Sequence, residues 1–472
     1  MPRATALVKG KKPRSKVAED SPMPAGSHKF APRPLRARKS PALKGLFETP
    51  GDKSISQRAL ILGAMAEGET RITGLLESGD VHSTAAALRG FGAKLTAAGP
   101  GRWTVTGTGV GNWKSPDAEL DFGNSGTGSR LVMGAMATTP ITATFTGDES
   151  LRSRPMARVL DPLKAFGLTY EGQGAKALMP VTLHGAKDAK AQTVVVQTAS
   201  AQVKSALILA ALNAEGESQI HQRIETRDHT EKMLVGFGAR VRTDRQINGG
   251  EVVFVQGPAK LVGCDVEVPR DPSSAAFAMV AALIVPGSEI ELPAILLNPR
   301  RTGLIATLQE MGADIAIQNR RTSGGEEIGD LVVRHSQLKG VQVPPSRAAS
   351  MIDEYPVLSV AASFAIGETI MFGLDELRVK ESDRLAAVAK GLDVNGVSYV
   401  IRGDNLHVTG KGHVPGGGTV TTHMDHRIAM SFLVMGLAAE NPVTVDDVTM
   451  IATSFPDFET RMRSLGAAME GA

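Results

Sequence analysis

The sequence predicts an α/β (α+β) fold made of six repeated βαβαββ modules, with buried helices inside and sheets outside. Three observations predict it. Six segments share one plan and recur roughly every 70 to 80 residues, too long a period for a typical solenoid unit. Each is preceded by a second helix with almost no charge past its first turn. The chain has 472 residues, more than one ordinary core accommodates, so two large domains are expected.

Each repeat opens on a short polar start and a β-type run, then a linker, an amphipathic helix, a glycine and a new strand. The first three are "GETRITGLLESGDVHSTAAALRGFGAKL" from Gly68, "ITATFTGDESLRSRPMARVLDPLKAFGLTY" from Ile141 and "GESQIHQRIETRDHTEKMLVGFGARV" from Gly216. The others start at Gly287, Gly367 and Asn441. Glycine after each helix supplies the left-handed conformation that ends it. The preceding helices, such as "SISQRALILGAMAEG", "SAQVKSALILAALNAEG" and "HRIAMSFLVMGLAAEN", are rich in Ala, Gly, Ser, Leu and Met. A helix that is apolar all round is buried, and small residues let several approach closely.

Composition narrows the function. No apolar run approaches the roughly 20 residues of a membrane span, so no membrane partner is expected. Aromatics are 4% of the chain, too few for a surface that stacks bases, which argues against nucleic acid. The single cysteine, Cys264, excludes an internal disulfide framework or a multi-cysteine metal site and fits a reducing, cytoplasmic setting.

The net charge of +3 is unevenly spread: Met1 to Lys44 holds twelve Lys and Arg, two acids (Glu19 and Asp20) and seven prolines, leaving the remainder near −7. With no hydrophobic period, residues 1–44 read as a disordered basic tail. Its alternatives are a solubilising extension, a polyanion contact and an organelle transit peptide.

The polar residues of the six apolar helices lie at their N-terminal ends. Lys53, Ser54 and Arg58 open the first, Asn124, Ser125, Thr127 and Arg130 the second, Ser200, Gln202 and Lys204 the third, Asp353 the fifth, and Asp425, His426 and Arg427 the sixth. Helix capping explains the Ser, Asn and Asp. It does not explain the cations, which oppose the helix dipole by up to about 1 kcal/mol unless an anion binds there. Converging N-termini with guanidinium groups point to a ligand carrying phosphate or carboxylate.

At these residues the chain resembles the 5-enolpyruvylshikimate-3-phosphate synthase family, in its bacterial branch. The blocks, in order from about Leu46, include "PGDKSISQRALILGAMAEGETRITGLL", "LDFGNSGTGSRL", "RSRPMARVLDPL", "TASAQVKSALILAAL", "IDEYPVLSVAA", "LRVKESDRLAAVA" and "DHRIAMSFLVMGLA". The resemblance implies a two-lobed enolpyruvyl-transferase fold with three modules per lobe. The first lobe would span 52–269 and the second 45–51 plus 270–472. It also implies transfer of enolpyruvyl from phosphoenolpyruvate to the 5-hydroxyl of shikimate 3-phosphate, with release of phosphate, by a protein expected to be monomeric and to need no cofactor.

By the same resemblance Lys53, Asn124, Gly126, Arg154, Gln202, Arg384 and Arg427 hold phosphoenolpyruvate. Shikimate 3-phosphate falls to Lys53, Ser54, Arg58, Ser200, Gln202, Arg227, Asp353 and Lys380. Asp353 is the implied base at the hydroxyl and Glu381 the acid/base at C3, in the environments of opposite lobes, with Lys53 also catalytic. Two positions depart from the family: Ser454 in "IATSFPDF" stands where many members carry Lys, and Gly126 where glyphosate-tolerant members carry Ala. Glyphosate is therefore expected to inhibit in competition with phosphoenolpyruvate, since a methyl at position 126 would project into that pocket.

Other motifs compete less well. His423 and His426 lie one helical turn apart beside Asp425, but no third ligand cluster follows, so no metal is expected. His184, His221 and His229 show no partner in the sequence. "GNSGTGSR" matches neither dinucleotide nor Walker patterns. The related UDP-N-acetylglucosamine enolpyruvyl transferase would carry a reactive Cys in the second module, where "GDESLRSRPMARV" has none. An RNA-terminal phosphate cyclase or a nucleic-acid binder would need an ATP-linked nucleophile or an aromatic platform.

Overall fold

The computed structural model describes residues 31–247 and 249–472. Its strands form six four-stranded sheets of one design. In each, two strands pair in parallel and two antiparallel strands complete the sheet; in four the parallel pair is joined through one apolar helix, whereas Lys44–Leu46 with Glu289–Leu296 and Asp265–Glu267 with Glu69–Thr73 come from distant parts of the chain. A parallel pair cannot be closed by a tight turn and takes a helix as its connector, which the Ala-rich segments provide in those four.

The apolar helices are Lys53–Met65, Gly126–Met136, Ala201–Ala211, Pro272–Ile284, Tyr355–Phe364 and His426–Gly436. Every residue of Pro272–Ile284 is buried. Small side chains allow this: a Cβ on Gly134 would lie 2.3 Å from the Ala206 carbonyl oxygen, so two of these helices touch backbone to backbone. The covering helices end as their sequences require. Gly92, Gly167, Gly238, Gly312, Gly396 and Gly466 all adopt positive φ just past them.

Buried side chains divide into two cores. One gathers residues between Ile55 and Val268, with Leu296; the other gathers Leu35 to Phe47 with residues from Ala275 to Met469. The chain passes between them twice, and the two crossings pair antiparallel at Gly51 and Arg270. There the Asp52 amide donates to the Pro269 carbonyl at 2.7 Å and the Asp271 amide to Pro50 at 3.0 Å. Among the described residues no helix is long and apolar enough to cross a membrane.

The expected tail needs correcting. Residues before 31 lie outside the described residues, but Leu35–Ala37 is an inner strand of the last sheet, paired antiparallel with Val443–Val445 and Met469–Gly471. Leu35 and Ala37 are buried and Arg36 is exposed. Lys44–Leu46 then pairs in parallel with Glu289–Leu296. A three-residue strand among Arg and Pro has no local period to betray it, and its partners lie more than 400 positions away. Leu35→Ala is therefore expected to cost about 2–4 kcal/mol in urea unfolding, as for other large-to-small core changes. A deletion through Lys39 that left the urea midpoint unmoved would contradict this placement.

Candidate active site

A cavity of about 450 Å³ lies between the lobes, lined by residues from the first turns or caps of five of the apolar helices and by Asp353, one residue before the cap of Tyr355–Phe364. Side-chain caps hold five of these ends in place. Asp52 accepts from the Ile55 amide, Ser125 from Gly128, Ser200 from Val203, Asp271 from Ser273 and Asp425 from Arg427. Eight Lys and Arg against six carboxylates line the cavity, so it is net positive even before the six helix dipoles are added.

The two chain crossings are clasped by one side chain. Arg301 is buried and donates through Nη1 to Asp52 at 2.6 Å and through Nη2 to Asp271 at 3.0 Å. It also reaches Ser273 Oγ at 3.0 Å. Asp52 precedes Lys53, so the helix that carries Lys53 into the cavity is tied to the other lobe at its cap. Burial pushes against ionisation of Asp52, but Arg301 and the Ile55 amide outweigh it and hold the carboxyl below its usual range. Burial and the neighbouring Asp52 charge push Asp271 up to about 6.

His229, which shows no partner in the sequence, completes this clasp. Its Nε2 lies 3.2 Å from Arg301 Nη1 and its Nδ1 lies 2.7 Å from Glu326 Oε1. A guanidinium can only donate, so Nε2 accepts and Nδ1 carries the proton, which fixes the neutral tautomer. Burial lowers its pKa despite the neighbouring acids. Asp228, His229 and Glu326 are close enough to suggest a metal. Lys232, at 2.7 Å from Glu326, and Asn298, at 2.7 Å from Asp228, already fill those positions.

Most of the expected site residues converge. Lys53, Ser54, Gly126, Arg154, Ser200, Gln202, Arg227, Asp353, Lys380, Glu381 and Arg427 all line the cavity. Arg227 donates to Asp353 Oδ2 at 2.6 Å across the cleft. Asp353 and Glu381 share one guanidinium: Arg384 Nη1 lies 3.1 Å from Asp353 and Nη2 lies 2.6 Å from Glu381. Arg384 itself is wholly buried and anchored by Asp425 at 2.8 Å. The two carboxylates thus belong to the same lobe, not to opposite ones.

Three expected residues stand behind the lining. Arg58 is spent on Ser54 O, Thr230 and Ser205 at 2.7–2.9 Å, and burial pushes it down to about 10. Asn124 holds Arg154 Nη2 at 2.7 Å and donates to Asp148. Arg384 braces the carboxylates. Lys204, counted among the converging cations, lies fully buried between Glu251 at 2.7 Å and Glu231 at 2.6 Å.

The sequence reading missed Asp80, which meets Lys53 at 3.1 Å, whereas Arg130, one of the helix-start cations, lines the cavity and donates to Gln202 at 2.6 Å. Burial and neighbouring guanidiniums push Arg130 down to about 9. Asp80 begins a covering helix in "SGDVHS" and Arg130 sits in the first turn of an apolar one, the only local signals either carries. His426 is buried beside Lys53 with no protein partner for either ring nitrogen, and burial holds it well below its usual range. His423 is exposed at φ +51°, so the two histidines do not share a face.

Two lobes, six helix N-termini and a positive cleft with paired carboxylates define an enzyme for small, multiply anionic substrates. Comparison with known proteins carries this to a family. The EPSP synthase (3-phosphoshikimate 1-carboxyvinyltransferase) family matches residues 37–462. The chain is 57% identical over 444 residues to the 3-phosphoshikimate 1-carboxyvinyltransferase of Paracoccus denitrificans, covering 94% of this chain and 100% of that one. It is 59% identical to that of Cereibacter sphaeroides over 92% of this chain and 97% of the relative. A solved EPSP synthase from Acinetobacter baumannii superposes with a TM-score of 0.81 at 40% identity, covering 93% of this chain and all of that one. The chain belongs to the EPSP synthase family. Its reaction is transfer of the enolpyruvyl group of phosphoenolpyruvate to the 5-hydroxyl of shikimate 3-phosphate, on the route to the aromatic amino acids.

The clasp predicts a pH signature. His229 has its pKa depressed on folding, so its contribution to stability is whole above the unfolded value of 6.5 and is lost as pH falls toward the folded value. His229→Gln keeps one donor and one acceptor without the titration. Below pH 6.5 the variant should gain on the wild type by up to about 1.4 kcal/mol per pH unit in urea unfolding. Asp271 has the opposite sign between 3.8 and about 6, so the difference between the two proteins is the quantity to measure.

Proposed function

We propose that the cavity holds both substrates at once, with Lys53, Asn124, Gly126, Arg154, Gln202, Arg384 and Arg427 around phosphoenolpyruvate. Lys53, Ser54, Arg58, Ser200, Gln202, Arg227, Asp353 and Lys380 serve shikimate 3-phosphate, Arg58 by bracing Ser54. The lobes on this reading are 52–269 and the remainder of the described chain. The observation that carries the proposal is the sharing of Arg384 by Asp353 and Glu381, which fixes two proton-transfer groups side by side.

Asp353 removes the proton of the attacking hydroxyl. Glu381 delivers a proton to C3 of phosphoenolpyruvate, making C2 the electrophile, and takes one back as phosphate leaves. Burial would raise both carboxyls. The surrounding cations, Arg427 and Arg227 foremost for Asp353 and Arg384 and Arg154 for Glu381, hold both well below their usual range. Groups so acidic are poor bases. The substrates bring roughly six negative charges among those same cations, and this offsets the field that depresses the carboxyls. Substrate binding thereby moves the two groups toward the range where they can exchange protons.

Glu381→Gln and Asp353→Asn preserve shape and remove proton transfer. Each should lower kcat by about 10²- to 10⁴-fold with a smaller change in substrate binding. Full kcat in either variant would refute the role given to that residue.

Competitive inhibition by glyphosate follows from the same pocket, with a change of mechanism at Gly126. A Cβ there would lie 2.7 Å from Arg154 Nη1, so an added methyl acts by displacing that guanidinium and not by filling open space. Gly126→Ala should raise the glyphosate inhibition constant by a larger factor than the KM for phosphoenolpyruvate. An unchanged ratio of the two constants would sink the idea. The half-buried free thiol of Cys264 supports a reducing, cytoplasmic setting, and the enzyme is read as a monomer, which sedimentation tests directly.

A further inference from the structure

Among the described residues, three side-chain contacts cross the mouth of the cleft. Arg227 with Asp353 is one, but substrate competes for both residues on the reading above. The second is Ser150 Oγ, which donates to the main-chain carbonyl of Glu381 at 3.2 Å and accepts from Arg154 Nη2 at 3.0 Å. The third joins Arg158, on the Ala157–Leu163 helix, to Glu376, on the short helix Asp375–Val379. Arg158 Nη2 donates to both carboxylate oxygens, at 2.8 and 3.1 Å, and both side chains are largely buried.

The placement of this third contact gives it a function. Arg158 follows Arg154 by four residues, and Glu376 precedes Lys380 and Glu381 by four and five. The ion pair and the Ser150 contact therefore dock the same two segments at two points. One segment carries the guanidinium assigned to phosphoenolpyruvate, and the other carries the carboxylate that exchanges a proton with its C3. Proton transfer demands heavy-atom separations near 3 Å, so the distance between these segments is what the reaction is most sensitive to.

We infer that Arg158 and Glu376 are a positioning pair for enolpyruvyl transfer, a latch between the lobes that sets the Arg154 segment against Lys380 and Glu381 without itself contacting the reacting atoms. The inference rests on the roles given above to Arg154 and Glu381. Loss of the latch lowers the population of the closed form, and apparent affinity falls with that population. Both substrates should feel it, because closure assembles both sites.

Charge exchange tests this. Arg158→Glu and Glu376→Arg each place like charges across the cleft, and each should lower kcat/KM for both substrates by about ten- to hundredfold. The double variant, Arg158→Glu with Glu376→Arg, rebuilds the pair in reverse and should recover to within about threefold of wild type. X-ray scattering of the full-length enzyme saturated with both substrates should show the single variants more extended than wild type and the double variant compact. Glu376→Gln, which keeps the shape, guards against misfolding of the reversed variants and should show a smaller fall of the same kind.

A double variant no better than the worse single one overturns the latch, as does a loss confined to the KM for phosphoenolpyruvate, which would make Arg158 a substrate ligand. Single variants equal to wild type overturn it too. Failure of the roles of Arg154 and Glu381 would appear elsewhere, as full kcat in Glu381→Gln.

Discussion

Arg301 is shared by the carboxylates that cap two helices in different lobes, and the location of the cleft follows from that sharing. Asp52 and Asp271 each do two jobs: one oxygen satisfies the orphan amides of a helix start, and the carboxylate also receives the guanidinium. Two buried acids so close would repel, and without Arg301 one of them would have to protonate. The chain crossings, the helix ends and the neutral His229 tautomer are therefore one electrostatic unit. Lys53 inherits its position from it.

Around that unit the cleft is arranged as a field awaiting its counter-charge. Lys53 leans on Asp80, Arg227 on Asp353, and Arg384 on Asp353, Glu381 and Asp425. Each pairing keeps a buried cation from standing alone, where desolvation would be costly. The cost of this arrangement is that the carboxyls of Asp353 and Glu381 are held well below their usual range. On the roles proposed above, binding and activation are coupled through the same charges.

The periodic features of the fold were legible in the sequence, and the long-range ones were not. The six Ala-rich helices and the capping glycines follow from composition and spacing, which are local properties. The helix-start cations Lys53, Arg130 and Arg427 do line the cavity, whereas Lys204 does not, because a lysine in a first turn looks the same whether it faces a cleft or Glu251. Arg58 failed likewise: its partners Thr230 and Ser205 lie 172 and 147 residues away. The strand Leu35–Ala37 was hidden in a segment whose charge and proline content describe its neighbours, and its burial depends on partners far along the chain. His229 and Arg301 carried no signal at all, since the meaning of each lies in a contact between segments.

That short strand orders the folding of the whole molecule. Leu35–Ala37 leaves the ribosome more than 400 residues before the strands that cover it, Val443–Val445 and Met469–Gly471. The sheets of the first lobe draw their strands from residues between Glu69 and Glu267 and can close while synthesis continues. The second lobe has to wait with one strand and the Leu43 to Phe47 segment unburied. During translation the nascent protein is thus a finished half tethered to an open one, and its exposure to misassembly is set by the time the ribosome needs to add the residues between those strands.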